Sequence, residues 1–469
     1  MTEEKPCVFG MIGLGTMGRN LLLNMADHGF KVAGYDKNPS QVNALQVEGA
    51  GKPVTGYTDL HSFANSLASP KAMMMLVPAG KIVDDVIAEF LPLLKPGDIF
   101  IDGGNSHFSD TMRRDTALEK LGIHFFGMGI SGGEEGARFG PSMMPGGDKE
   151  AYKHLSSLFE AVAAKVDGEP CVTYIGPGAS GHFVKMVHNG IEYALMQLIA
   201  ETYGILKNNL RLSNEEVGDV FKKWNNGRLQ SFLLEVTADI FSYKNEDGKT
   251  YLLDDIKDEA KAKGTGKWTS QIAMDLQVPV TTIDTAVSMR DLSKFKALRV
   301  LLSQTYASPL SPAPIITIQE LEEAFCFSMI TIYAQGMHML QKASVDHGYD
   351  FNLEAIPKIW RGGCIIRSLF LEDMQQAFAS DKNLPHLFAF NNIKQQVQST
   401  MSFARKLTAS CIANAIPVPV YSSAISYFDS IVTAQMPSNL IQAQRDYFGA
   451  HTYELVGKEG VFHTEWKKI

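Results

Sequence analysis

The sequence CVFGMIGLGTMG, residues 7–18, indicates how the first part of this 469-residue chain folds. An apolar run, Cys7–Ile12, leads directly into Gly13, Gly15 and Gly18, and a helical pattern follows. Glycines at this spacing allow a tight turn, close approach of the backbone to a pyrophosphate, and close helix packing. The helix N-terminus then offers amide N–H groups to the diphosphate. We therefore predict a dinucleotide site; the alternative is a glycine-rich turn in another α/β protein.

Repeated β-α-β units predict the architecture of the first third of the chain. Short apolar runs recur with helical stretches between most of them, as in a parallel, doubly wound sheet that is covered on both faces. Residues 1–177 are thus expected to form an α/β Rossmann-type domain. The further strand candidates are Lys31–Asp36, Ala72–Val77, Asp98–Asp102, His124–Met128 and Val172–Ile175.

After residue 177 the pattern becomes helical. Gly181–Asn208 contains no proline, and a helix of that length would run about 40 Å. Leu321–His347 and Gln398–Ala415 have the same character. We predict an all-helical domain over residues 178–440, followed by an extended C-terminal tail over residues 441–469.

Composition excludes several classes of partner. The net charge of -8 gives no basic field for nucleic acid or an anionic membrane. No apolar run reaches the 18 residues that a membrane span needs. The five cysteines are widely spaced with no CxxC pair, which argues against a disulfide framework or a zinc site and favours the cytoplasm.

One polar stripe within the first long helical segment indicates chemistry. Lys185, His188, Asn189 and Glu192 are spaced so that they share one face of an α-helix. The rest of that segment is largely apolar, so the stripe must face a partner, a cleft or water. The alternative to a catalytic cleft is a solvated face with an incidental Lys–Glu pair.

The end of the second predicted strand bears on the cofactor. Asp36 lies 23 residues after Gly13, where an acidic residue accepts hydrogen bonds from the ribose hydroxyls of NAD and repels a 2′-phosphate. Lys37 beside it could still pair with a phosphate. In the alternative interpretation, Asp36 only starts a turn before Asn38 and Pro39.

Seven long sequence blocks are distributed over nearly the whole chain. They are GLGTMGRNLLLNMADHGF (13–30), IDGGNS (101–106), GISGGEEGARFGPSMMPGG (129–147), GHFVKMVHNGIEY (181–193), KGTGKWT (263–269), WRGGCIIRS (360–368) and IQAQRDYFGAHTYEL (441–455). In this order and spacing, the blocks resemble the 6-phosphogluconate dehydrogenase family. The resemblance implies oxidative decarboxylation of 6-phosphogluconate to ribulose 5-phosphate in the pentose phosphate pathway, NADP as cofactor, no metal, and a homodimer with shared active sites.

The resemblance also implies roles for individual positions. Lys185 is implied as catalytic base and Glu192 as catalytic acid. The substrate-binding residues that it implies are Asn105, Ser131, Gly132, Gly133, His188, Asn189, Tyr193, Lys263, Thr265 and Arg290, with Arg445 and His451 from the neighbouring subunit. The cofactor-binding residues are Gly13, Leu14, Gly15, Thr16, Met17, Gly18, Asp36, Lys37, Asn38, Val77, Pro78, Ala79 and Asn105.

Two departures from the family pattern put the NADP preference in question. Family members that use NADP usually carry Asn-Arg-Thr where this chain has residues 36–38, Asp-Lys-Asn. They also usually carry lysine in the block where this chain has Val77, Pro78, Ala79 and Gly80. Position alone therefore leans towards NAD, while the family implies NADP.

The chemistry of the stripe can be stated as a hypothesis. A desolvated, neutral Lys185 takes the proton from the C3 hydroxyl while hydride leaves to the nicotinamide. The resulting 3-keto acid loses CO₂ as protonated Lys185 donates to the ketone oxygen, and Glu192 as an acid protonates C1 of the enediol. No metal enters this scheme. Lys263, Arg290 and Arg445 supply cations for the phosphate.

Two other functions are compatible with parts of the sequence. A related β-hydroxyacid dehydrogenase, such as one for 3-hydroxyisobutyrate, would share the first domain and the lysine but would be much shorter and lack the phosphate blocks. A non-catalytic dinucleotide sensor could keep the glycines and lose Lys185 or Glu192, whereas this chain keeps both. His107 and His124 receive no role and are expected to be structural or surface residues.

Overall fold

The computed structural model describes residues 5–306 and 316–466. The first domain is built on a seven-stranded sheet in the order β3-β2-β1-β4-β5-β6-β7, in which all neighbours are parallel except β6 and β7. Its strands are β1 (Phe9–Ile12), β2 (Val32–Tyr35), β3 (Val54–Tyr57), β4 (Ala72–Met75), β5 (Ile99–Asp102), β6 (His124–Ser131) and β7 (Ser142–Gly146).

The strand order reverses between β1 and β4, so the loops that follow these two strands part and leave a crevice at the carboxyl edge of the sheet. Every residue of β1, β2, β4 and β5 is buried, as expected for strands covered by helices on both faces. The prediction of an α/β Rossmann-type domain followed by a helical domain is confirmed.

The covering helices of this domain alternate with the strands. They and the two short strands that close the domain have the following bounds: α1 (Thr16–Asp27), α2 (Pro39–Glu48), α3 (Leu60–Ser66), α4 (Lys81–Phe90), α5 (Phe108–Glu119), α6 (Gly133–Phe139), α7 (Lys149–Tyr152), α8 (Ser156–Val162), β8 (Lys165–Val166) and β9 (Glu169–Pro170).

One strand prediction is wrong, and two strands of the sheet, β3 and β7, were not predicted. Val172–Ile175 forms only isolated bridges near β7, at Val172 to Met143 and at Gly176 to Gly146. The seventh strand of the sheet is instead β7, which returns antiparallel to β6. Both segments are apolar and lie beside each other at the same edge of the sheet. Their local apolar character therefore does not indicate which of the two forms the strand.

The second domain is helical. Its elements are α9 (Ser180–Asn208), α10 (Asn214–Asn225), α11 (Phe232–Ser242), α12 (Leu252–Asp255), α13 (Thr265–Asp275), α14 (Thr281–Ser293), α15 (Lys296–Tyr306), α16 (Ile318–Asp346), α17 (Ala355–Trp360), α18 (Phe370–Ser380), α19 (Asn391–Ala413) and α20 (Pro419–Ile431). Among the described helices, none is both long and apolar enough to cross a membrane.

The long helices α9 and α16 form the centre of this domain, and each is buried over most of its length. Helix α16 begins at a capping box, in which Thr317 and Glu320 satisfy each other's backbone N–H groups. Helix α9 also packs against β6 and β7, so it belongs to both domains. This double packing places one face of α9 against the β6 and β7 side of the sheet.

The end of the chain is not extended as expected. Helix α21 (Ser438–Gly449) is followed by a hairpin of β10 (Tyr453–Leu455) and β11 (Lys458–Phe462). Buried Asp446 joins the two parts, because its carboxylate accepts hydrogen bonds from the backbone N–H groups of Thr452 and Thr464 and from the indole of Trp466. The segment is therefore a defined helix–hairpin unit.

Candidate active site

The glycine-rich loop after β1 has the geometry of a dinucleotide cradle. Gly13 has φ +89°, and a Cβ there would lie 2.7 Å from the carbonyl oxygen of Leu76. A Cβ on Gly18 would lie 2.0 Å from the carbonyl oxygen of Gly13. A Cβ on Gly15, by contrast, would meet nothing within 4 Å. The loop leaves no room for a side chain at Gly13 or Gly18, whereas the space beside Gly15, at the N-terminus of α1, is open. This arrangement fits a diphosphate.

The residues after β2 are tied to this loop. Asp36 accepts hydrogen bonds from the backbone N–H groups of Leu14 and Asn38, each at 2.8 Å. Asn38 also caps helix α2. The ammonium group of Lys37 forms an ion pair with Glu89 of α4 at 2.8 Å. Both alternatives for Asp36 thus have support, because it shapes the turn and also faces the cradle.

The loop after β4 forms the other side of the crevice. Residues 77–79, Val-Pro-Ala, follow β4 directly, and Val77 Cγ1 lies 3.1 Å from the position that a Cβ on Gly13 would occupy. Met17 is half-buried against the core of the sheet. The predicted cofactor residues of the β1, β2 and β4 loops therefore meet around one crevice.

Helix α9 reaches the sheet through close backbone contacts. A Cβ on Gly181 would lie 2.1 Å from the carbonyl oxygen of Met144 and 2.3 Å from that of Gly127. A Cβ on Gly129 would lie 2.4 Å from the Cβ of Lys185. Only glycine leaves room for these approaches, and they hold Lys185 against β6.

Lys185 is the buried cation of the site, with 6% of its surface exposed. Its Nζ lies 3.4 Å from Nδ1 of His188. Burial lowers the pKa of Lys185, while the nearby Glu192 and Cys364 act to raise it. A lysine with a lowered pKa can exist as the neutral amine and accept a proton.

His188 joins three segments of the chain. Its Nδ1 lies 3.1 Å from Oδ1 of Asn189, and its Nε2 lies 3.2 Å from Oγ of Ser131 and 2.8 Å from Sγ of Cys364. These contacts fit a neutral ring that donates from Nδ1 and accepts at Nε2. Burial, followed by the charge of Lys185, lowers the pKa of His188 well below its ordinary value.

Glu192 completes the polar face of α9. One carboxylate oxygen lies 3.9 Å from Nδ1 of His188, and 22% of the side chain remains exposed. Burial raises the pKa of Glu192, against the opposing effects of Lys185 and Arg290. The buried amine of Lys185 and the carboxyl of Glu192, whose pKa is raised, therefore share one face of α9 with His188 between them, and the carboxyl is partly open to solvent.

The turn at the end of β6 faces the same region. Gly132 has φ +119° and Gly133 has φ +63°, which are left-handed conformations that favour glycine. A Cβ on Gly132 would also lie 2.7 Å from the carbonyl oxygen of Gly363. The buried Ser131 contacts His188, so the predicted SGG turn and the polar face of α9 are brought together.

Asn105 lies in the loop after β5. It is exposed, and Asp102 shapes the loop by accepting hydrogen bonds from the backbone of Gly104 and from the hydroxyl of Ser106. His107, which follows, caps helix α5 through Nδ1. His124 begins β6 near Asp148. Both histidines have structural contacts, in line with the absence of a predicted role.

The candidate phosphate residues form a second group beside Glu192. The guanidinium of Arg290 stacks on the ring of Tyr193 at 3.7 Å from its centroid. A Cβ on Gly266 would lie 2.4 Å from that same ring, and the neighbouring Thr265 is buried at the start of α13. Lys263 is exposed two residues before α13. The tyrosine ring thus connects α9, α13 and α14.

Arg445 and His451 lie apart from these groups. Both are exposed; Arg445 hydrogen-bonds to Gln442, and His451 packs near Phe448. In the described part of the chain, no hydrogen bond, ion pair or ring contact joins either residue to α9. The structure of one chain does not bring these two predicted residues into the site.

Sequence reasoning missed two neighbours of His188. Cys364 lies against its Nε2, and the ring of Trp360 meets its ring edge-on at 5.7 Å between centroids. Burial raises the pKa of the Cys364 thiol to about 12, so the thiol is neutral. The WRGGCIIRS block contains both residues, but nothing in its local pattern indicates which side chain faces inward.

No cluster of three or more potential metal-ligating side chains occurs within residues 5–306 and 316–466.

Two family models match the chain. Residues 8–176 match the NAD binding domain of 6-phosphogluconate dehydrogenase, and residues 181–466 match the 6-phosphogluconate dehydrogenase C-terminal domain.

Individual relatives agree over nearly the full length. The NADP(+)-dependent, decarboxylating 6-phosphogluconate dehydrogenase of Bacillus subtilis is 48% identical, covering 98% of this chain and 99% of its own. The decarboxylating enzyme of Escherichia coli is 46% identical, covering 97% and 98%.

A solved structure of Plasmodium falciparum 6-phosphogluconate dehydrogenase, described as apo, with NADP+ and with 6-phosphogluconate, is also similar. It superimposes with a TM-score of 0.95 at 39% identity, covering 98% of this chain and 100% of its own. The fold, the polar face of α9 and these matches agree, and the chain belongs to the 6-phosphogluconate dehydrogenase family.

Proposed function

We propose that this protein catalyses the oxidative decarboxylation of 6-phospho-D-gluconate to D-ribulose 5-phosphate and CO₂, with reduction of NAD(P)+, in the pentose phosphate pathway. One observation carries the proposal: a buried lysine and a carboxyl with a raised pKa share one face of α9, which packs against the sheet that also carries a dinucleotide cradle. The family membership supplies the substrate.

Lys185 acts first, as the base. Its burial favours the neutral amine, which accepts the proton of the C3 hydroxyl as the alcohol is oxidised. The bound nicotinamide supplies the hydride acceptor for this step. His188, at 3.4 Å from the amine, is held neutral by its own burial and fixes the position of the lysine without competing for the proton.

Lys185 acts again during loss of CO₂. Oxidation at C3 leaves a ketone next to the carbon that bears the carboxylate, and the C–C bond to the carboxylate breaks as its electrons move to the ketone oxygen. The ammonium group of Lys185, now protonated, donates to that oxygen and stabilises the developing enolate. The proton taken in the first step is thereby returned.

Glu192 finishes the reaction as the acid. The enediol needs a proton at C1 to become the ketose, and a carboxyl whose pKa is raised by burial retains its proton for this transfer. Lys185, neutral again after its donation, accepts the proton that the enediol hydroxyl loses as the ketone forms, and releases it before the next turnover. The 22% exposure of its side chain lets Glu192 recover a proton from solvent after each turnover.

The remaining polar groups hold the substrate. We assign the carboxylate to the backbone amides of Ser131, Gly132 and Gly133, and the sugar hydroxyls to Asn105, His188 and Asn189. The phosphate pairs with Arg290, Lys263, Thr265 and Tyr193. Arg290 offers a planar fork already held against the Tyr193 ring, so little side-chain freedom is lost on binding.

The C-terminal tail, residues 441–469, serves a neighbouring subunit in this proposal. Arg445 and His451 are exposed, and within the described residues no hydrogen bond, ion pair or ring contact joins them to α9 of their own chain. We assign both to the phosphate end of the partner's site in a homodimer. Large apolar side chains of the tail support an interface, since Phe448 is 72% and Val461 65% exposed.

The proposed location is the cytoplasm. All five cysteines are buried inside the domains, and their wide spacing is typical of proteins from a reducing compartment. The substrate is a charged metabolite that such a compartment retains.

The test is turnover of 6-phosphogluconate by the purified protein, followed through the absorbance of the reduced nicotinamide with NAD+ and NADP+ in parallel. We expect turnover, loss of turnover in Lys185→Met, and normal rates in Lys207→Met, a matched lysine variant on the last turn of α9. Absence of turnover with both cofactors, or a fully active Lys185→Met, would overturn the proposal.

A further inference from the structure

A cavity of about 310 Å³ lies beside the glycine-rich loop, between the end of β2 and helix α4. Gly13 and Val77 line it on the cradle side. Its charged lining residues are Asp36, Lys37, Asp85 and Glu89. Because it opens next to the cradle for the diphosphate, this cavity is the place for the adenosine end of the cofactor, and its charges decide which ribose it accepts.

Asp36 presents a fixed carboxylate to this cavity. Its two oxygens accept hydrogen bonds from the backbone N–H groups of Leu14 and Asn38, each at 2.8 Å. These bonds orient the group and leave further lone pairs on both oxygens. Two ribose hydroxyls can donate to those lone pairs, whereas a 2′-phosphate carries only acceptor oxygens and negative charge.

Lys37, the cation that could offset Asp36, is already engaged. Its Nζ lies 2.8 Å from a carboxylate oxygen of Glu89, and this hydrogen bond raises the pKa of Lys37. Asp85, one turn before Glu89 on α4, pairs with Lys81. Since each of these lysines has its own carboxylate, Asp36 remains as the unbalanced charge of the cavity.

Arg19 cannot easily replace Lys37. It follows the cradle on α1, but its guanidinium donates to the carbonyl oxygen of Leu14 and to Gln41, and it pairs with Glu48 at 3.1 Å. A guanidinium held by three partners would have to give them up to meet a phosphate. The cavity therefore offers a hydroxyl-binding carboxylate and no unengaged cation among its lining residues.

We propose that the chain selects NAD+ over NADP+, and that Glu89 is a specificity-determining residue because it withholds Lys37 from a 2′-phosphate. Asp36 supplies the attraction for the ribose hydroxyls and the repulsion of the phosphate. Glu89 contributes to the selection indirectly, because it pairs with Lys37 and so keeps that ammonium group from the 2′-phosphate. The inference rests on the proposed function for its turnover assay only.

The first measurement compares kcat/KM for NAD+ and NADP+ at saturating 6-phosphogluconate. We expect a preference for NAD+ of at least about tenfold, equal to about 1.4 kcal/mol. Asp36→Asn should raise kcat/KM for NADP+ and lower it for NAD+. Equal values, or a preference of the parent protein for NADP+, would overturn the inference.

The role of Glu89 requires a double-mutant cycle. Glu89→Gln should raise kcat/KM for NADP+ about fivefold or more and leave that for NAD+ within twofold. Adding Lys37→Gln should cancel the gain. A gain that persists without Lys37 would show that Glu89 acts through its charge alone and would refute the proposed mechanism. Glu150→Gln, which breaks an exposed Lys–Glu pair on α7, is the matched control and should change neither value.

A measurement of cofactor binding distinguishes a failure of this inference from a failure of the proposed function. Calorimetric titration of the protein with NAD+ and with NADP+ measures the preference without any substrate. If turnover of 6-phosphogluconate fails but NAD+ binds more tightly, the proposed function is wrong and the cofactor inference stands. If turnover occurs and NADP+ binds more tightly, the inference is wrong and the proposed function stands.

Discussion

Gly181→Ala inserts a methyl group into the contact between α9 and the sheet. The new Cβ would lie 2.1 Å from the carbonyl oxygen of Met144 and 2.3 Å from that of Gly127. Both oxygens belong to backbone in β6 and β7, so neither can rotate away. To restore a contact of about 3.0 Å, the start of the helix must retreat by about 0.9 Å.

This displacement reaches the reacting groups. Lys185 lies one turn after Gly181 on the same rigid helix, so its amine moves with the backbone. A misplacement of about 1 Å can lower a rate about 100-fold, which corresponds to about 2.7 kcal/mol. Overpacking should also lower the free energy of unfolding by about 1–3 kcal/mol.

Gly204→Ala is the matched control, because it makes the same change on the same helix at a position where a Cβ meets nothing within 4 Å. It should leave kcat/KM unchanged and stabilise the protein by up to about 1 kcal/mol. The assays are steady-state turnover of 6-phosphogluconate and urea unfolding. A Gly181→Ala variant within threefold of the parent kcat/KM would refute the claim that this contact positions Lys185.

Four further predictions concern other buried groups. Lys185→Met should bind cofactor normally in a calorimetric titration yet neither oxidise nor decarboxylate. Glu192→Gln should still release CO₂ in a single turnover but form ribulose 5-phosphate slowly. The fall in the turnover rate at alkaline pH, which deprotonation of Glu192 causes in the parent, should be absent from this variant. Burial raises the pKa of Glu201 to about 7, so the free energy of unfolding should fall by about 3 kcal/mol between about pH 4.5 and pH 7, and this fall should vanish in Glu201→Gln. Asp446→Ala should release the hairpin from α21 and abolish turnover while circular dichroism remains near that of the parent; full activity would contradict the shared site.

Local sequence patterns predicted those features of the site that are formed by residues close together in the sequence. The cradle follows from three glycines within six residues, and the polar face of α9 follows from the helical repeat of Lys185, His188, Asn189 and Glu192. The structure adds why these residues are close: Gly129 and Gly181 let α9 lie against the sheet. That packing joins segments distant in sequence and leaves no local signal.

Contacts between distant segments were the part that sequence reasoning could not supply. Cys364 touches His188 across 176 residues of chain, and no periodic pattern marks it as inward-facing. Val172–Ile175 was apolar enough for a strand, yet β7 formed the ladder beside it. The pairing of Lys37 with Glu89 was equally hidden, so the sequence left the choice of dinucleotide open.

The most direct test of the account follows both products of the reaction by the parent protein. Formation of reduced nicotinamide and release of labelled CO₂ from 6-phosphogluconate carrying carbon-14 at C1 are measured in the same sample. The proposed mechanism predicts equal amounts of the two products, and neither product with Lys185→Met. Reduced nicotinamide without CO₂, or either product at the parent rate in Lys185→Met, would contradict the role assigned to the polar face of α9.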